Sequence, residues 1–183
     1  MKKGRENKPH IGIFGRRNNG KSSFINALAG QDIAIVSNQA GTTTDPVKKS
    51  VEIFGIGPAI LIDTAGIDDR GELGELRIKK TLQVVKMIDL AVILITHNNI
   101  GNYELELMNQ FNSFDVPYIF VHNKSDEQKL SKSSLKTVGS VFKTEVIDFA
   151  ANQGNATEPI IELLKKHMPS SAYTNPSLLG GII

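Results

Sequence analysis

The stretch Gly15–Ser22 constrains the fold of this chain more strongly than any other part of its sequence. It runs Gly-Arg-Arg-Asn-Asn-Gly-Lys-Ser, which matches the pattern of a phosphate-binding loop: a glycine, four residues, and then Gly-Lys followed by Ser or Thr. Glycines allow the backbone to curl so that successive N–H groups point at phosphate oxygens. The lysine of this pattern reaches the β- and γ-phosphates, and the serine hydroxyl reaches Mg²⁺. The stretch therefore predicts that the chain binds a nucleoside triphosphate.

The residues on either side of this loop support that interpretation. His10–Phe14 is a short apolar run typical of a buried strand, and Lys21–Ala29 places apolar residues at helical spacing. A phosphate-binding loop requires a strand before it and a helix after it, because the helix N-terminus adds partial positive charge beneath the phosphates. The alternative is a glycine-rich turn without a ligand, and these flanking elements favour the phosphate-binding interpretation over it.

Beyond this first helix, apolar strands alternate with helices, which is typical of a sheet covered on both faces. Further strands are predicted at Val47–Phe54, Ala59–Ile62, Leu90–Ile95, Tyr118–Val121 and Lys143–Phe149, and further helices at Leu76–Ile88, Glu104–Phe114, Ser131–Gly139 and Thr157–His167. Between the first two of these strands, Gly55–Pro58 predicts a hairpin, and hence an antiparallel pair. The predicted fold is α/β, of the P-loop NTPase type: a doubly wound, mostly parallel six-stranded sheet with one antiparallel strand and helices on both faces.

A second motif, Asp-Thr-Ala-Gly at Asp63–Gly66, follows a predicted strand. Ligands bind at the carboxyl ends of strands in open α/β sheets, so the Asp63 carboxylate can hold a Mg²⁺-bound water opposite Ser22. Gly66 has no Cβ, so its backbone can approach the γ-phosphate and donate an N–H to it. Upstream, the polar connection Gln31–Pro46 contains successive threonines, one of which can complete the Mg²⁺ shell. A threonine-rich turn without a ligand is the alternative for that connection.

A third motif, Asn-Lys-Ser-Asp at Asn123–Asp126, also follows a predicted strand. Asp126 can accept hydrogen bonds from both the N1–H and the exocyclic amine of guanine, a donor pair that adenine lacks, while the stem of Lys124 covers the ring face. The wrong base leaves the carboxylate unpaired, which costs binding free energy. The motif therefore predicts GTP rather than ATP. Ala150–Asn152 lies where a second loop that contacts the base is expected.

Composition narrows the remaining classes of function. The chain has 183 residues, 40% of them hydrophobic, which is enough for one compact domain. Its 21 basic and 19 acidic residues give a net charge of +2, too even to indicate a nucleic-acid or membrane surface. The absence of cysteine excludes disulfides, thiolate catalysis and a cysteine-ligated iron–sulfur cluster in this chain. No apolar stretch reaches membrane length and the start is polar, so a cytoplasmic protein is expected.

The four histidines are scattered and have no metal-ligand spacing. His122 directly precedes the third motif and is therefore a candidate catalytic base. It also lies at a strand end, where a hydrogen-bonded structural histidine is the favoured interpretation.

The three motifs, in this order and spacing, are those of a P-loop GTPase. Within GTPases the chain resembles the bacterial TrmE-Era-Der group. The stretches GRRNNGKSSFINAL, AGTTTDPV and DTAGIDDRGELG look most like the FeFe-hydrogenase maturation GTPases of the HydF family, and the resemblance covers residues 10 to about 168. Thr-Thr-Thr-Asp-Pro is its most specific part, because relatives in RNA modification and ribosome assembly more usually have arginine at the position of Thr44.

The resemblance implies a GTPase that converts GTP and water to GDP and phosphate, stimulated by K⁺ in place of an arginine finger. This switch would act in a hydrogenase-maturation scaffold. Asn18 would hold K⁺ together with Thr42 and backbone carbonyls around Ser37 and Gln39. By the same resemblance, Thr43 would join Ser22 and Asp63 as a Mg²⁺ ligand. The alternative function is the G domain of an RNA-modification or ribosome-assembly GTPase.

Some positions depart from the patterns of relatives. Ile67 follows the second motif where Ras-like GTPases carry a water-orienting glutamine, which predicts slow intrinsic hydrolysis. Glu75 stands where an RNA-modifying relative has its water-positioning glutamate, although a solvated acidic loop is the favoured alternative. Ala150 stands where relatives often have serine, so base contacts there must come from the backbone. The predicted nucleotide-binding residues are Gly15, Asn18, Asn19, Gly20, Lys21, Ser22, Ser23, Thr43, Asp63, Gly66, Asn123, Lys124, Asp126, Ala150 and Ala151, and the predicted catalytic residues are Lys21, Thr43, Gly66 and Glu75.

The predicted organisation has three parts: a flexible basic arm at residues 1–9, the GTP-binding domain at 10–168, and a linker or tail at 169–183. HydF-type proteins continue into a dimerisation domain and an iron–sulfur domain, so an isolated G domain of a longer chain is expected. Its expected partners are hydrogenase-maturation proteins, with a homodimer through the absent domains or the switch segments as a further expectation. Neither a membrane nor a nucleic acid is expected.

Overall fold

A computed structural model describes residues 8–30, 33–35, 46–64, 74–153 and 156–173 of the chain. Its strands are β1 (His10–Gly15), β2 (Ile33–Ile35), β3 (Val47–Ile53), β4 (Gly57–Asp63), β5 (Leu90–Ile95), β6 (Tyr118–His122) and β7 (Val146–Asp148). Its helices are α1 (Lys21–Ala29), α2 (Gly74–Val85), α3 (Asn102–Ser113), α4 (Lys132–Thr137) and α5 (Thr157–His167), with a π-helical turn at Val138–Phe142 and a 3₁₀ turn at Ser170–Tyr173. Among these helices, none has the length and apolarity that crossing a bilayer requires.

The strands form one seven-stranded sheet in the order β2-β3-β4-β1-β5-β6-β7. The adjacent strands β4, β1, β5, β6 and β7 pair with one another in parallel. Strand β3 runs antiparallel to both of its neighbours, β2 and β4. The predicted fold class, a mostly parallel sheet with one antiparallel strand, is confirmed. The short strand β2 is additional and lies within the predicted polar connection. It pairs Ile33 with Val51 and Ile35 with Lys49, and three residues are too few to show a strand period in the sequence.

The two central strands explain why the sheet is covered on both faces. Every residue of β1 and β5 is buried, as expected for parallel strands with helices on each side. On one face, α1 and α5 contribute Phe24 and Leu164 to a buried cluster. On the other face, α2 and α3 contribute Val84 and Leu107 to a second cluster. The carboxyl ends of β1, β4 and β6, where the three motifs begin, are therefore held by a double-sided core.

The end of the sheet differs from the prediction at the last strand. Helix α4 continues into the π-helical turn, and β7 begins at Val146 instead of Lys143. Lys143 has a left-handed backbone with φ 52°, which ends the turn. Two side chains fix this geometry: the Tyr118 hydroxyl donates to the Phe142 carbonyl at 2.9 Å, and the Thr144 hydroxyl donates to the Tyr118 carbonyl at 2.6 Å. These side-chain bonds hold the residues before β7 together with one backbone bond to β6, from the Phe120 N–H to the Glu145 carbonyl at 3.0 Å.

Candidate nucleotide-binding site

The loop between β1 and α1 has the backbone that the first motif predicts, and Gly20 is its most constrained residue. Gly20 has φ 81° and ψ 31°, in the left-handed region that favours glycine. A Cβ at this position would lie 2.3 Å from the side-chain nitrogen of Asn123. Gly20 is therefore required both for its conformation and for the space that the third motif occupies.

Gly15 serves the loop in another way. A Cβ there would lie 3.1 Å from both the Cβ and the carbonyl oxygen of Leu94, which is closer than most such contacts. Gly15 thus allows β1 to pack against β5. The second left-handed residue of the loop is Asn18, with φ 66°, and asparagine adopts this region more readily than most residues. Asn18 is exposed.

Asn19 anchors the loop to the centre of the sheet. Its side chain is buried; its Nδ2 donates to the carbonyl of Leu94 at 2.9 Å, and its Oδ1 accepts from the hydroxyl of Thr96 at 3.0 Å. Its backbone N–H donates to the Arg16 carbonyl at 3.2 Å and closes a turn. Asn19 thus holds the loop against β5 with the polar groups of its side chain, and its nucleotide-binding role stays a prediction.

Asn123 joins the third motif to the phosphate-binding loop. Its Nδ2 donates to the carbonyls of Asn19 at 2.8 Å and Gly20 at 3.4 Å, and its Oδ1 accepts from the backbone N–H of Lys124 at 2.9 Å. The side chain is buried. Since these groups are separated by more than a hundred residues in the chain, sequence patterns alone gave no sign of the contact. Asn123 positions the two loops relative to each other.

Two lysines of the motifs are bonded to carbonyls of the same loop. The Lys21 ammonium, which is buried, donates to the carbonyl of Gly15. The Lys124 ammonium donates to the carbonyl of Asn18 at 3.1 Å. Both ammonium groups therefore lie at the loop; the third motif predicts a position over the base for the stem of Lys124, and the bond of its ammonium to the loop is an additional contact.

The structure also brings together the two loops that the sequence assigns to the base. The backbone N–H of Ser125 donates to the carbonyl of Phe149 at 3.1 Å, which places the third motif beside the loop after β7. Asp126 is exposed, and its Oδ2 accepts from the Asn152 side chain at 3.2 Å. Ala150 is buried and Ala151 is exposed. Asn152 belongs to the loop in which the sequence places base contacts, but its bond to Asp126 is not a contact that the motifs predict.

The metal side of the site is formed by the end of β4 and the start of α1. Asp63 is 8% exposed and lies opposite Ile13 of β1 in the sheet. The next residue, Thr64, donates its hydroxyl to the Ile13 carbonyl at 2.7 Å, which fixes this strand end. Ser22 is exposed in the first turn of α1. A carboxylate and a hydroxyl are hard oxygen ligands of the kind that Mg²⁺ prefers, so this donor set fits the ion.

Lys49 of β3 is a charged neighbour of this metal side that the motifs do not predict. Its ammonium lies 3.5 Å from Asp63 Oδ2, and the two side chains are 19% and 10% exposed. The only sequence signal for Lys49 is its place on the strand that pairs with the strand of the second motif.

A second unpredicted charge pair fixes Arg16 of the phosphate-binding loop. Its Nε and a terminal nitrogen donate to the two carboxylate oxygens of Glu104, at 3.0 and 2.8 Å. The Glu104 side chain is fully buried and also accepts from the Gly101 N–H at 2.7 Å. The hydrogen bonds that Arg16 donates to Glu104 raise the pKa of the Arg16 guanidinium above its ordinary value. The Arg16 guanidinium lies 5.8 Å from the centre of the Tyr103 ring, so α3 holds the loop through a charge and an aromatic face.

The other predicted residues have these positions. Glu75 is exposed in the first turn of α2, and Ser23 is exposed in α1. His122 is fully buried, and its Nδ1 lies 2.9 Å from Asp148 Oδ1, as the interpretation of a structural histidine expects. Five predicted site residues, and Ile67, lie outside the described residues: Ser37, Gln39, Thr42, Thr43 and Gly66.

Comparison with known proteins identifies the family. The sequence pattern of the 50S ribosome-binding GTPases matches residues 10–124, more than half of the chain. The chain is 40% identical over 118 residues to the tRNA modification GTPase MnmE of Chromobacterium violaceum, covering 64% of this chain and 26% of that protein. It is 30% identical over 165 residues to the GTPase Era of Clostridium acetobutylicum, covering 86% of this chain and 55% of that protein. The chain thus spans well under two thirds of either relative.

A solved structure gives the same assignment in three dimensions. It contains Era in complex with MgGDPNP and nucleotides 1506–1542 of 16S ribosomal RNA. This chain superimposes on it with a TM-score of 0.65 at 26% identity, covering 88% of this chain and 57% of that one. The loops brought together above are therefore those of a GTP-binding domain. This chain belongs to the 50S ribosome-binding GTPase family, which confirms the GTPase class that its three motifs predict.

Proposed function

We propose that this chain binds GTP and hydrolyses it to GDP and phosphate, and that it acts as a nucleotide-dependent switch. The observation that carries the proposal is the buried amide of Asn123, 2.8 Å from the carbonyl of Asn19. This contact holds the base-reading loop against the phosphate-binding loop, so that one ligand with both a guanine and phosphates can engage both. Asp126 reads the base, and Lys21 with the loop N–H groups binds the phosphates.

The catalytic side of the proposal uses oxygen ligands and positive charge. Ser22 and Asp63 would hold Mg²⁺, which would supply positive charge beside the phosphates. By the resemblance to related GTPases, Thr43 would be a further Mg²⁺ ligand. The backbone N–H of Gly66 would donate to the γ-phosphate. Glu75 is a candidate for positioning the attacking water, but its exposed side chain in the first turn of α2 equally suits a solvated residue.

A monovalent cation is a further part of the proposal. Asn18 is exposed and left-handed at the mouth of the loop, where its side chain can meet a K⁺ ion beside the phosphates. Ser37, Gln39 and Thr42 would supply its other ligands by the same resemblance. A cation in this position would supply the positive charge that an arginine finger supplies in other GTPases.

Two candidates remain for the process that this switch controls. MnmE is named a tRNA modification GTPase, and a structure of Era contains nucleotides of 16S ribosomal RNA. These relatives favour an RNA-modification or ribosome-assembly protein. The stretch Thr42–Pro46 instead resembles the HydF family and favours assembly of a hydrogenase metal cluster with its maturation proteins. We favour the RNA candidate, because two relatives support it, whereas a single residue pattern supports the metal-cluster candidate.

Hydrolysis assays test the enzymatic part. Phosphate release from GTP and from ATP is measured with Mg²⁺ in matched KCl and NaCl. We expect turnover of GTP alone, accelerated by K⁺, and loss of the acceleration in Asn18→Gly. Glycine is the better replacement than alanine because φ at this residue is 66°. Arg17→Ala, an exposed neighbour in the loop, is the control. Equal rates in both salts would exclude the K⁺ site, and equal rates with ATP would exclude base reading by Asp126.

A binding assay separates the two processes. The full-length natural protein is titrated with 16S ribosomal RNA fragments and with tRNA over a range of salt concentrations, with GTP or GDP bound. The RNA candidate predicts binding that depends on the nucleotide and weakens steeply with salt. Absence of such binding, combined with failure of hydrogenase activation in extracts that lack the protein, would instead support the metal-cluster candidate.

A further inference from the structure

We propose that Lys49 is the countercharge of Asp63 in the metal-free site, and that it sets the Mg²⁺ concentration at which the nucleotide site loads. This inference rests on the proposed function, because it takes Asp63 as the carboxylate of the Mg²⁺ shell. The pair is placed on opposite strands of one antiparallel pair, β3 and β4. Its position makes Lys49 a competitor of the metal for the same carboxylate.

The sheet fixes where the Lys49 ammonium lies. Lys49 is in the middle of β3 and is paired on both sides, with Leu61 of β4 and Ile35 of β2. Successive side chains of a strand point to opposite faces, so Lys49 shares its face with Val51 and Ile53, which pack in the cluster that includes α1. This is the face on which α1 begins with the phosphate-binding lysine. The ammonium therefore lies on the metal side of the sheet by virtue of register.

The distance between the two charged groups indicates that Lys49 acts on Asp63 through its charge more than through a directional hydrogen bond. A hydrogen bond between an ammonium and a carboxylate is ordinarily about 2.7–2.9 Å long, whereas Lys49 Nζ lies 3.5 Å from Asp63 Oδ2. At that separation the attraction remains, since it falls only as the inverse of distance. The backbone of Asp63 is held by its place at the end of β4, opposite Ile13 of β1 and Val47 of β3. Removing the ammonium should therefore remove charge while this backbone stays in place.

Burial makes this charge effective. The two side chains are 19% and 10% exposed, so solvent screens the pair less than it would screen a surface pair. A divalent cation that approaches Asp63 meets the positive charge of Lys49 at short range. Lys49 therefore stabilises the metal-free site and weakens the affinity for Mg²⁺.

The neighbouring residue Lys48 provides a matched control. It carries the same charge on the same strand and is partly buried like Lys49, but strand alternation directs it to the other face of the sheet. Lys48→Met and Lys49→Met change the net charge of the protein by the same amount. Any difference between them therefore reports the position of the charge.

The test measures the Mg²⁺ dependence of nucleotide release. The complete chain is loaded with a fluorescent GDP analogue, and its release rate is recorded as the free Mg²⁺ concentration is varied. For Lys49→Met we expect the Mg²⁺ midpoint to fall by about tenfold. For Lys48→Met and Lys49→Arg we expect midpoints within about threefold of the natural protein. Lys49→Gln, which keeps a polar end, is measured in parallel in case the methionine variant does not fold.

The outcomes separate this inference from the proposed function. An unchanged midpoint in both Lys49→Met and Lys49→Gln would overturn the inference. A raised midpoint would also overturn it, because it would mean that Lys49 helps Asp63 to hold the metal. An equal shift in Lys49→Arg would exclude charge as the cause. If the natural protein does not bind the GDP analogue at all, the proposed function itself fails.

Discussion

Two sets of contacts shape the nucleotide site, and they differ in chemistry. The first set consists of two buried amides: Asn19 bonds to Leu94 and Thr96, and Asn123 bonds to the carbonyls of the phosphate-binding loop. The second set consists of charges: Arg16 of that loop pairs with Glu104, and at the metal side Lys49 pairs with Asp63. The buried amides are bonded within the protein, so their geometry is set before a ligand arrives. The charges respond to ions, so they are the part through which a metal can act on the site.

The largest effect is expected where the amide set meets the loop backbone. Gly20→Ala should cost about 3 kcal/mol of unfolding free energy, because the new Cβ requires a left-handed alanine and displaces the amide of Asn123. The control is Gly20→Ala introduced into Asn123→Ala, where the backbone strain is the same but the amide that meets the new Cβ is gone. There Gly20→Ala should cost about 1–2 kcal/mol, from strain alone. Urea unfolding measures both, and equal costs would remove the steric part of the comparison.

The next effect tests the amide contact itself. Asn123→Ala removes the donor to two loop carbonyls in a buried place and should cost about 2 kcal/mol of unfolding free energy, together with affinity for GTP. Asn152→Ala removes an exposed amide 3.2 Å from Asp126 and should cost less than about 0.5 kcal/mol. Unfolding in urea and titration with a fluorescent GTP analogue give the two readouts. A larger cost for Asn152→Ala would contradict the idea that burial makes the amide set rigid.

A smaller effect is expected from the charged set. Glu104→Gln places an amide N–H against a guanidinium N–H of Arg16 and should cost about 1.5 kcal/mol of unfolding free energy. The control is Glu106→Gln, because Glu106 forms a pair of equal length, 2.8 Å, with Arg77 at the surface. That variant should cost less than about 0.5 kcal/mol, and added salt should remove the cost. If salt also removes the cost of Glu104→Gln, the buried pair is screened like a surface pair.

The smallest effect is expected far from the loop, at Glu145. Hydrogen bonds from Lys166 and then His167 lower the pKa of Glu145 below its ordinary value of 4.5. A carboxyl whose pKa is lowered on folding contributes stability above its unfolded pKa and loses it as the pH falls through the folded pKa. Glu145→Gln should therefore lower the melting temperature at pH 7 by less than about 3 °C, because the pair is exposed. The difference should disappear in acid below pH 4.5. A difference that persists there would assign the effect to packing of α5.

The sequence predicts the parts of this molecule that depend on local pattern. The helices α1 and α5 begin and end at the predicted residues, because apolar spacing and the motif boundaries determine them. The succession of strands and helices along the chain, and the positions of the three motifs at strand ends, follow from the same alternation of elements. In contrast, β2 is defined by its pairing with β3, and a local pattern of three residues cannot predict that pairing.

The contacts between distant residues could not be predicted in the same way. Arg16 meets Glu104 across 88 residues, and Asn123 meets Asn19 across 104 residues. Each partner alone has a simpler interpretation: a solvated arginine, and an asparagine that touches the base. Only the packing of α3 on the sheet, and of β6 beside β5, brings these side chains together. The sequence therefore located the site but not the bonds that hold it in shape.

The two outer strands of the sheet have a consequence for the handling of this protein. Both β2 and β7 are three residues long, whereas the strands beside the phosphate-binding loop are longer. An outer strand exposes unpaired backbone donors and acceptors, and a long one invites other chains to add to the sheet. Within the described part of the chain, each margin of this sheet gives a foreign strand only a few backbone groups to pair with. The outer strands β2 and β7 should therefore be poor templates for fibril growth, even at the protein concentrations that binding measurements require.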